Sequence, residues 1–258
     1  MGLFFKVSTY NICHCMDYTD AKKPAWTRDW WNIRPRKVAD VLQSIDAKIV
    51  GLNEVFSAPS GILKKQHEQL ADMAGYKNSA FGKAISLPVD GVPCDYGNAL
   101  LSKFDILETQ TFVVPSPTER ERRANETLYY EDRAILRAVI DVGTPITVLV
   151  THFGLNLQEM ERMTARLIEM IDAESNPVIL MGDFNTEPSA SVLAPIFQRL
   201  TSVAKACNNT QKTFATFGEQ EQIDHIFVSA HFQIKNFERV EKNVSDHYPC
   251  AAELILHY

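Results

Sequence analysis

Three short apolar runs, each followed by a charged or titratable side chain, most constrain what this chain can fold into. They are residues 49–52 before Glu54, residues 146–150 before His152, and residues 178–182 before Asp183. Continuous apolar runs of this length are typical of strands that are buried on both faces. A carboxylate beside a buried strand is costly to desolvate unless it is paired or bound to a metal ion. The pattern therefore predicts strands whose ends converge on one site.

The order of the predicted elements indicates an α/β fold. Apolar residues at helical spacing predict helices at about 33–45, 62–74 and 157–171, and a short helix follows Pro188. Strand-like runs lie at residues 4–12, 48–52, 97–102, 106–114, 134–141, 146–151, 177–181, 222–228, 232–240 and 248–256. No linker-like change of composition is visible, and a chain of this length can form one domain. We predict a single domain over residues 1–258, with two sheets packed face to face and helices outside.

The composition excludes several classes of protein. The chain has 258 residues, of which 45% are hydrophobic and 22% charged, so it is too apolar for wholesale disorder. Its 26 Lys and Arg against 32 Asp and Glu give a net charge of −6, which disfavours long nucleic acid as a partner without excluding a local basic cleft. No run approaches the ~18 apolar residues of a membrane-spanning helix. We expect a cytoplasmic protein with no transmembrane segment and no obligate protein partner.

The cysteines do not form a recognisable framework. There are five, an odd number at irregular spacing, so neither a set of disulfides nor a zinc ribbon is indicated. The segment Cys13-His14-Cys15 can be interpreted as a metal motif. Two small thiols packed in a core strand or loop explain it more simply, and we do not count it in the predicted site.

Polar side chains near strand ends supply the groups that a metal-assisted hydrolase needs. They are Asn11, Glu54, His152, Asp183, Asn185, Asp224, Asp246 and His247. Carboxylate and amide oxygens suit Mg²⁺ or Mn²⁺, and a histidine beside a carboxylate can be held in one tautomer. Such a set can activate water, offset charge on phosphorus and stabilise a leaving oxygen. Each residue alone can be a capping group, a surface acid or a turn residue, but the ordered set favours one site.

Six ordered segments carry a resemblance to a known family. They are Thr9-Tyr10-Asn11, Gly51-Leu52-Asn53-Glu54-Val55, Thr151-His152, Gly182-Asp183-Phe184-Asn185, Ile223-Asp224-His225-Ile226 and Ser245-Asp246-His247-Tyr248-Pro249. Together they resemble the endonuclease/exonuclease/phosphatase superfamily and span nearly the whole chain. The resemblance implies a four-layered α/β sandwich of two mixed β-sheets with the site between the sheet edges. It also implies Mg²⁺- or Mn²⁺-dependent hydrolysis of a phosphoester, most simply a phosphodiester.

The resemblance implies a metal-binding half of the site. Glu54 corresponds to the principal metal-binding glutamate, Asn11 to an asparagine that helps to hold the ion or its waters, and Asp246 to a further aspartate on the metal side. The chain departs from the family at Asn53, where most members have the longer amide of glutamine. This departure puts the packing around Glu54 in question, but not the ligand itself.

The resemblance implies catalytic roles for the other matched residues. His247 corresponds to the histidine that faces the scissile phosphate, and Asp224 to the carboxylate that orients it. Asp183 and Asn185 correspond to the pair that orients the nucleophile and the phosphate. His152 corresponds to a second histidine of deoxyribonuclease-like and sphingomyelinase-like members. Which of His152, His247 and Asp183 acts as the base stays open.

Two further residues are candidates for binding the substrate phosphate. Asn98 lies in residues 97–102, which resemble a common family segment, and Arg133 directly precedes a predicted strand. A turn amide and a surface ion pair are the plainer explanations for these two residues.

The substrate class stays open in the sequence. Residues 222–225 differ from the Trp-x-Asp-Arg segment of the inositol phosphatases, which makes that subgroup a poorer match. A nuclease needs a basic track, but acids interleave with Arg120, Arg122 and Arg123 in the predicted loop 115–132. A small or lipid-derived phosphoester fits the acidic chain at least as well. The tryptophans at positions 26, 30 and 31 can line a pocket, touch a lipid surface or anchor a loop.

Three alternatives to a small-substrate hydrolase follow from the same residues. The chain can be a DNA or RNA nuclease proper. It can be a non-catalytic binding module on the same fold, although none of the matched positions is lost. It can also be an unrelated α/β domain in which the six segments occur in order by chance.

Overall fold

The computed structural model describes residues 2–15, 28–58, 65–89, 92–118, 129–214 and 220–257, with the backbone alone for residues 28–34, 89 and 92. The strands are β1 (Gly2–Asn11), β2 (Ile49–Ser57), β3 (Asn78–Val89), β4 (Val92–Ser102), β5 (Asp105–Val114), β6 (Arg133–Asp141), β7 (Pro145–His152), β8 (Val178–Asp183), β9 (Thr201–Ser202), β10 (Asp224–Val228), β11 (Phe232–Arg239) and β12 (Cys250–His257). The helices are α1 (Arg28–Ile45), α2 (Gln66–Ala74), α3 (Leu157–Ala173), α4 (Ala194–Phe197) and α5 (Val203–Ala206), with 3-10 turns at Cys13–Cys15 and Ser191–Leu193.

The two sheets share one plan. Their strand orders are β11-β12-β1-β2-β4-β3 and β5-β6-β7-β8-β10-β9. Each sheet has one parallel pair, β1 with β2 and β7 with β8, and its other neighbours are antiparallel. Parallel strands need a long crossover connection, and α1 and α3 lie in these two connections. The plan brings the carboxyl ends of β1 and β2 to the same edge as those of β7 and β8.

Four layers result from the way apolar residues are buried. Between the sheets lie side chains of both, among them Val7 and Leu100 from the first and Val148 from the second. Gly51 permits the closest approach, because a Cβ there would lie 2.8 Å from Met181 Sδ. α1 and α2 cover the outer face of the first sheet, and α3 and α4 cover that of the second. The predicted four-layered α/β sandwich of two mixed sheets is confirmed.

Some element boundaries differ from the sequence predictions. β3 was missed because Gly82, Lys83 and Pro88 interrupt the apolar alternation of its sequence. α1 begins at Arg28, before the predicted start, because the polar and aromatic first turns hide its helical period. The last strand begins after Pro249, which cannot donate to a ladder hydrogen bond.

Other predictions fall partly outside the described residues. Arg120, Arg122, Arg123 and Trp26 lie outside them, as does the predicted start of the second helix. Trp30 and Trp31 belong to α1 by their backbone. None of the five cysteines, all of which lie within the described residues, is in a disulfide bond. Among the helices of the described ranges, none combines the length and the apolar character needed to cross a bilayer. The single domain over residues 1–258 stays a prediction.

Candidate active site

The carboxyl ends of the four central strands meet at one edge of the sandwich. Asn11 pairs with Asn53 across β1 and β2, and His152 pairs with Asp183 across β7 and β8. Asn11 joins the two sheets, because its Nδ2 donates to Asp183 Oδ2 at 3.0 Å. Side chains from both sheets therefore share one cleft, at the position where α/β folds commonly bind ligands.

Asn53 ties strands of both sheets together beneath this cleft. Its Nδ2 donates to Asn98 Oδ1 and to the carbonyl oxygen of Thr151, both at 2.8 Å, and its Oδ1 accepts from the backbone N–H of Asp183 at 2.9 Å. Asn98 donates in turn to the carbonyl oxygen of Ala134 at 2.7 Å. The short amide at position 53 thus satisfies a buried network. Asn98, which is only 2% exposed, is engaged between the sheets.

A β-bulge presents Glu54 to the cleft. The register of β2 against β4 shifts there, so that Asn53 and Glu54 together lie opposite Asn98. Glu54 has a φ of 58°, in the left-handed region that is costly for a residue with a Cβ. A bulge is a common way to re-aim a side chain next to a functional site. The carboxylate is half-buried, and its Oε1 accepts from Asn11 Nδ2 at 3.1 Å.

The orientation of the Asn11 amide follows from its neighbours. The backbone N–H of Cys13 donates to Asn11 Oδ1 at 3.0 Å, which leaves the amide nitrogen toward Glu54 and Asp183. Asn11 therefore donates hydrogen bonds to two carboxylates and holds them in fixed positions.

Asp183 lies at the centre of the second sheet's polar groups. Its Oδ1 accepts from the backbone N–H of Asn185 at 2.8 Å. Its Oδ2 lies 3.5 Å from His152 Nε2 and 3.7 Å from His247 Nε2. Burial raises the pKa of Asp183, and the charge of Asp224 adds to the effect. One buried carboxylate thus faces two imidazoles.

The two histidines differ in their electrostatic surroundings. His247 Nδ1 lies 2.9 Å from Asp224 Oδ2. Burial alone lowers the pKa of His247, but the carboxylates of Asp224 and Asp183 outweigh it and raise that pKa. Burial lowers the pKa of His152, and the guanidinium of Arg133 lowers it further. These surroundings favour the charged form of the His247 imidazole and the neutral form of the His152 imidazole.

Arg133 fixes the tautomer of His152. Its Nη1 lies 3.3 Å from His152 Nδ1, and because a guanidinium can only donate, Nδ1 is the acceptor. The proton of the neutral imidazole is then on Nε2, which faces Asp183. Arg133 also forms an ion pair with Glu131 at 3.4 Å, but Arg133 is only 5% exposed. The pair is therefore buried, and the expectation that Arg133 forms an ion pair on the surface is wrong.

Asp246 lies on the side of the cleft that carries Glu54. It is half-buried, and its Oδ1 accepts from Ser245 Oγ at 2.9 Å. Burial raises the pKa of Asp246, and the charge of Glu54 raises it further. The two carboxylates therefore repel each other across this part of the cleft.

Between Glu54 of the first sheet and Arg133 and His152 of the second lies a cavity of about 290 Å³. Its walls are His14, Glu54, Leu87, Tyr96, Tyr129, Glu131, Arg133, His152, Leu155 and Asn185. Sequence reasoning missed the aromatic and leucine residues of this wall, since they come from separate strands and loops and follow no motif. It also set His14 aside, although this residue follows Asn11 by only three positions just past the end of β1.

A comparison with known proteins agrees with this geometry. The model of the Endonuclease/Exonuclease/phosphatase family matches residues 8–247. The chain belongs to this family. Members of the endonuclease/exonuclease/phosphatase family are metal-dependent phosphoester hydrolases. No curated protein matches the chain.

Solved structures share the family fold. An endonuclease/exonuclease/phosphatase from Beutenbergia cavernae aligns with a TM-score of 0.75 and 21% identity over 98% of this chain and 72% of that one. The mannosyl-6-phosphatase Bt3783 of Bacteroides thetaiotaomicron aligns with 0.69 and 19%, over 97% and 99%. ANGEL2, a 2',3'-cyclic phosphatase, aligns with 0.71 and 16%, over 100% and 96%. At these identities the likeness is one of fold.

Proposed function

We propose that this chain hydrolyses a small phosphoester by attack of water on phosphorus, with a divalent cation bound beside Glu54. The observation that carries the proposal is the buried array in which Asp183 faces both His152 and His247, with Asp224 behind His247. Such an array brings together a carboxylate, an imidazole that favours its charged form and an imidazole that favours its neutral form. That is the arrangement required for moving protons around a reacting phosphate.

The residues of the cleft fit a divalent cation. Glu54, Asp183, Asp224 and Asp246 bring four carboxyl groups to the site, against Arg133 and the charged His247. Arg133 is already paired with Glu131. Glu54 and Asp246 would hold Mg²⁺ or Mn²⁺, and Asn11 would orient the Glu54 carboxylate. When bound there, the ion supplies positive charge against the phosphate oxygens.

The other residues act on the phosphate and on the attacking water. Arg133 is a phosphate donor, because among the described residues its buried Nε has no hydrogen-bond partner. Charged His247 donates to a phosphate oxygen from Nε2, which lies 3.7 Å from Asp183 Oδ2, while Asp224 holds its Nδ1. Asp183, held by Asn11 and Asn185, orients the water and accepts its proton. His152 donates from Nε2 toward the same point. Asn98 has an indirect role, because it accepts a hydrogen bond from Asn53 beneath the cleft.

The cavity favours a small or lipid-derived phosphoester. About 290 Å³ is at the lower end of the volumes that hold small ligands. Tyr96, Tyr129 and Leu155 give it an apolar wall. The names of two solved relatives, a mannosyl-6-phosphatase and a 2',3'-cyclic phosphatase, agree with a small substrate. A nuclease is the second candidate, and a binding module without catalysis is the third.

A substrate panel with matched variants tests the proposal. Sugar phosphates, nucleoside 2',3'-cyclic phosphates, sphingomyelin, DNA and RNA are offered with Mg²⁺, with Mn²⁺ and with EDTA. We expect turnover of a small ester that EDTA abolishes and that falls about 10²–10⁴-fold in Glu54→Gln and in His247→Gln. His231→Gln, an exposed histidine outside the cleft, is the control.

The outcomes separate the three candidates. Cleavage of DNA or RNA alone, with affinity that grows with length and falls with salt, supports the nuclease. Binding of a phosphoester without turnover supports the binding module. Full activity in both cleft variants contradicts the site.

A further inference from the structure

One residue after the end of β1, the chain turns through three consecutive residues with left-handed backbone. Cys13, His14 and Cys15 have φ values of 39°, 53° and 63°, and none of them is glycine. Left-handed backbone is energetically unfavourable for a residue with a Cβ. Strain of this kind persists only where the surrounding structure fixes it, and it is concentrated at functional sites.

Hydrogen bonds from two other elements hold this turn. The Cys13 N–H donates to Asn11 Oδ1 at 3.0 Å, and the Cys15 N–H donates to the carbonyl oxygen of Ile12 at 2.8 Å. Gln66 of α2 is fully buried, and its Nε2 donates to the carbonyl oxygen of His14 at 2.8 Å. The Oε1 of the same side chain accepts from the backbone N–H of Phe56 in β2 at 2.8 Å. One glutamine therefore fixes the turn relative to the strand that carries Glu54.

The turn places an imidazole against the Glu54 carboxylate. His14 Nε2 lies 3.3 Å from Glu54 Oε2, while Oε1 of the same group accepts from Asn11. The Cys13 thiol, the His14 ring and the Glu54 carboxylate each offer a ligand atom, and these atoms lie within 4.8 Å of one another. A separation of 3.3 Å is about that of two neighbouring ligands which each lie ~2.1 Å from one ion.

Aromatic neighbours restrict the orientation of the His14 ring. Its centroid lies 4.7 Å from that of Phe56 and 5.3 Å from that of Tyr96. The ring is therefore wedged beside the cleft wall with Nε2 toward Glu54. Imidazole nitrogen binds first-row transition ions, of which Mn²⁺ is the weakest binder, more strongly than it binds Mg²⁺, which prefers oxygen.

We propose that His14 Nε2 and Glu54 Oε2 are joint ligands of the cation, and that this site therefore selects Mn²⁺ or a similar transition ion over Mg²⁺. The inference rests on the proposed metal-dependent function, because it concerns the same ion. It assigns a purpose to the His14 imidazole, which the catalytic array does not use.

Direct metal binding tests the inference without an activity assay. The wild type, His14→Asn, Glu54→Gln and His231→Gln are titrated with MnCl₂ and with MgCl₂ by calorimetry. Asn is chosen at position 14 because it tolerates left-handed backbone and is too short to reach Glu54 Oε2. Even outer partners of a metal site change its affinity about 10–100-fold, so His14→Asn should lose at least about tenfold in Mn²⁺ affinity and much less in Mg²⁺ affinity.

Pulsed electron paramagnetic resonance of bound Mn²⁺ gives a second readout. We expect a nitrogen modulation in the wild type and in His231→Gln that disappears in His14→Asn. His14→Gln is titrated as a second variant, and the thermal unfolding of each variant is measured. A variant that loses Mn²⁺ affinity but unfolds at the wild-type temperature has lost a ligand and not the fold. If His14→Asn keeps the wild-type ratio of Mn²⁺ affinity to Mg²⁺ affinity and also keeps the nitrogen signal, the proposed role of His14 is overturned while the proposed function stands. A wild type that binds neither ion overturns the proposed function and this inference together.

Discussion

The two sheets follow the same strand order, yet the rims that they contribute to the cleft differ. The first-sheet rim consists of Asn11, His14 and Glu54, and its two cleft-facing side chains, His14 and Glu54, are half-buried. The second-sheet rim consists of His152, Asp183, Asp224 and the adjoining His247, all of them buried and linked to one another.

Backbone strain separates the rims further. Of seven non-glycine residues with positive φ in the described ranges, four are on or beside the first-sheet rim: Cys13, His14, Cys15 and Glu54. Beside the second-sheet rim only Asn185 has such a φ within those ranges. A strained and partly open rim suits an ion that must exchange with solvent. A buried and hydrogen-bonded rim suits groups that must keep fixed charge states. One fold plan thus provides two kinds of surface for one reaction.

Removing the charge at the centre of the second-sheet rim should have the largest effect on turnover. Asp183→Asn keeps the shape but cannot accept a proton, and we expect kcat to fall about 10²–10⁴-fold. Steady-state kinetics on the best substrate of the panel measure the loss. Because the first-sheet rim is untouched, Mn²⁺ binding should persist, and a parallel loss of Mn²⁺ affinity would show that the rims do not act separately.

Gly182→Ala should break the second-sheet rim through the backbone. A Cβ at Gly182 would lie 1.9 Å from the carbonyl oxygen of Thr151, at a φ of +147°. β7 and β8 would have to separate, so we expect at least about 3 kcal/mol of lost stability in urea unfolding. Gly75→Ala is the control, since its φ is +77° but nothing lies within 4 Å of its Cβ. It should cost only about 1–2 kcal/mol, and an equal loss in both variants would contradict the steric explanation.

Asn53→Gln tests the link between the rims. The longer amide restores the residue that most family members have, but it must fit a fully buried network built around the shorter one. We expect a loss of about 1–3 kcal/mol in unfolding free energy from overpacking. A variant as stable as the wild type would mean that the network adapts to either amide.

Arg133→Met should produce the smallest change, in the pKa of His152. Burial is the main cause of the lowered pKa, so loss of the cation should raise it only part of the way toward its usual value. A lowered histidine pKa favours folding above its unfolded value of about 6.5, and this stability is lost as pH falls below it. The variant should therefore lose less stability on acidification. Imidazole titration by NMR in EDTA measures the shift, and His225 should titrate unchanged.

The fold and the strand-end residues could be predicted from the sequence because apolar runs and motifs are local signals. Glu54, His152 and Asp183 all follow such runs, and the family segments keep their order. The cavity wall could not be predicted, because Leu87, Tyr96 and Tyr129 meet only through tertiary packing. His14 was passed over since its position depends on a left-handed turn and on Gln66 of a distant helix.

The most direct test concerns which donor cluster holds the cation. Within the described residues two groups could do so, one with Glu54 and His14 and one with Asp183, Asp224 and His247. Calorimetric titration of Glu54→Gln and Asp224→Asn with MnCl₂ distinguishes them. If the first-sheet rim holds the cation, Glu54→Gln loses at least about 100-fold in Mn²⁺ affinity, whereas Asp224→Asn binds Mn²⁺ as the wild type does and loses turnover only. Retained affinity in Glu54→Gln with lost affinity in Asp224→Asn would contradict it.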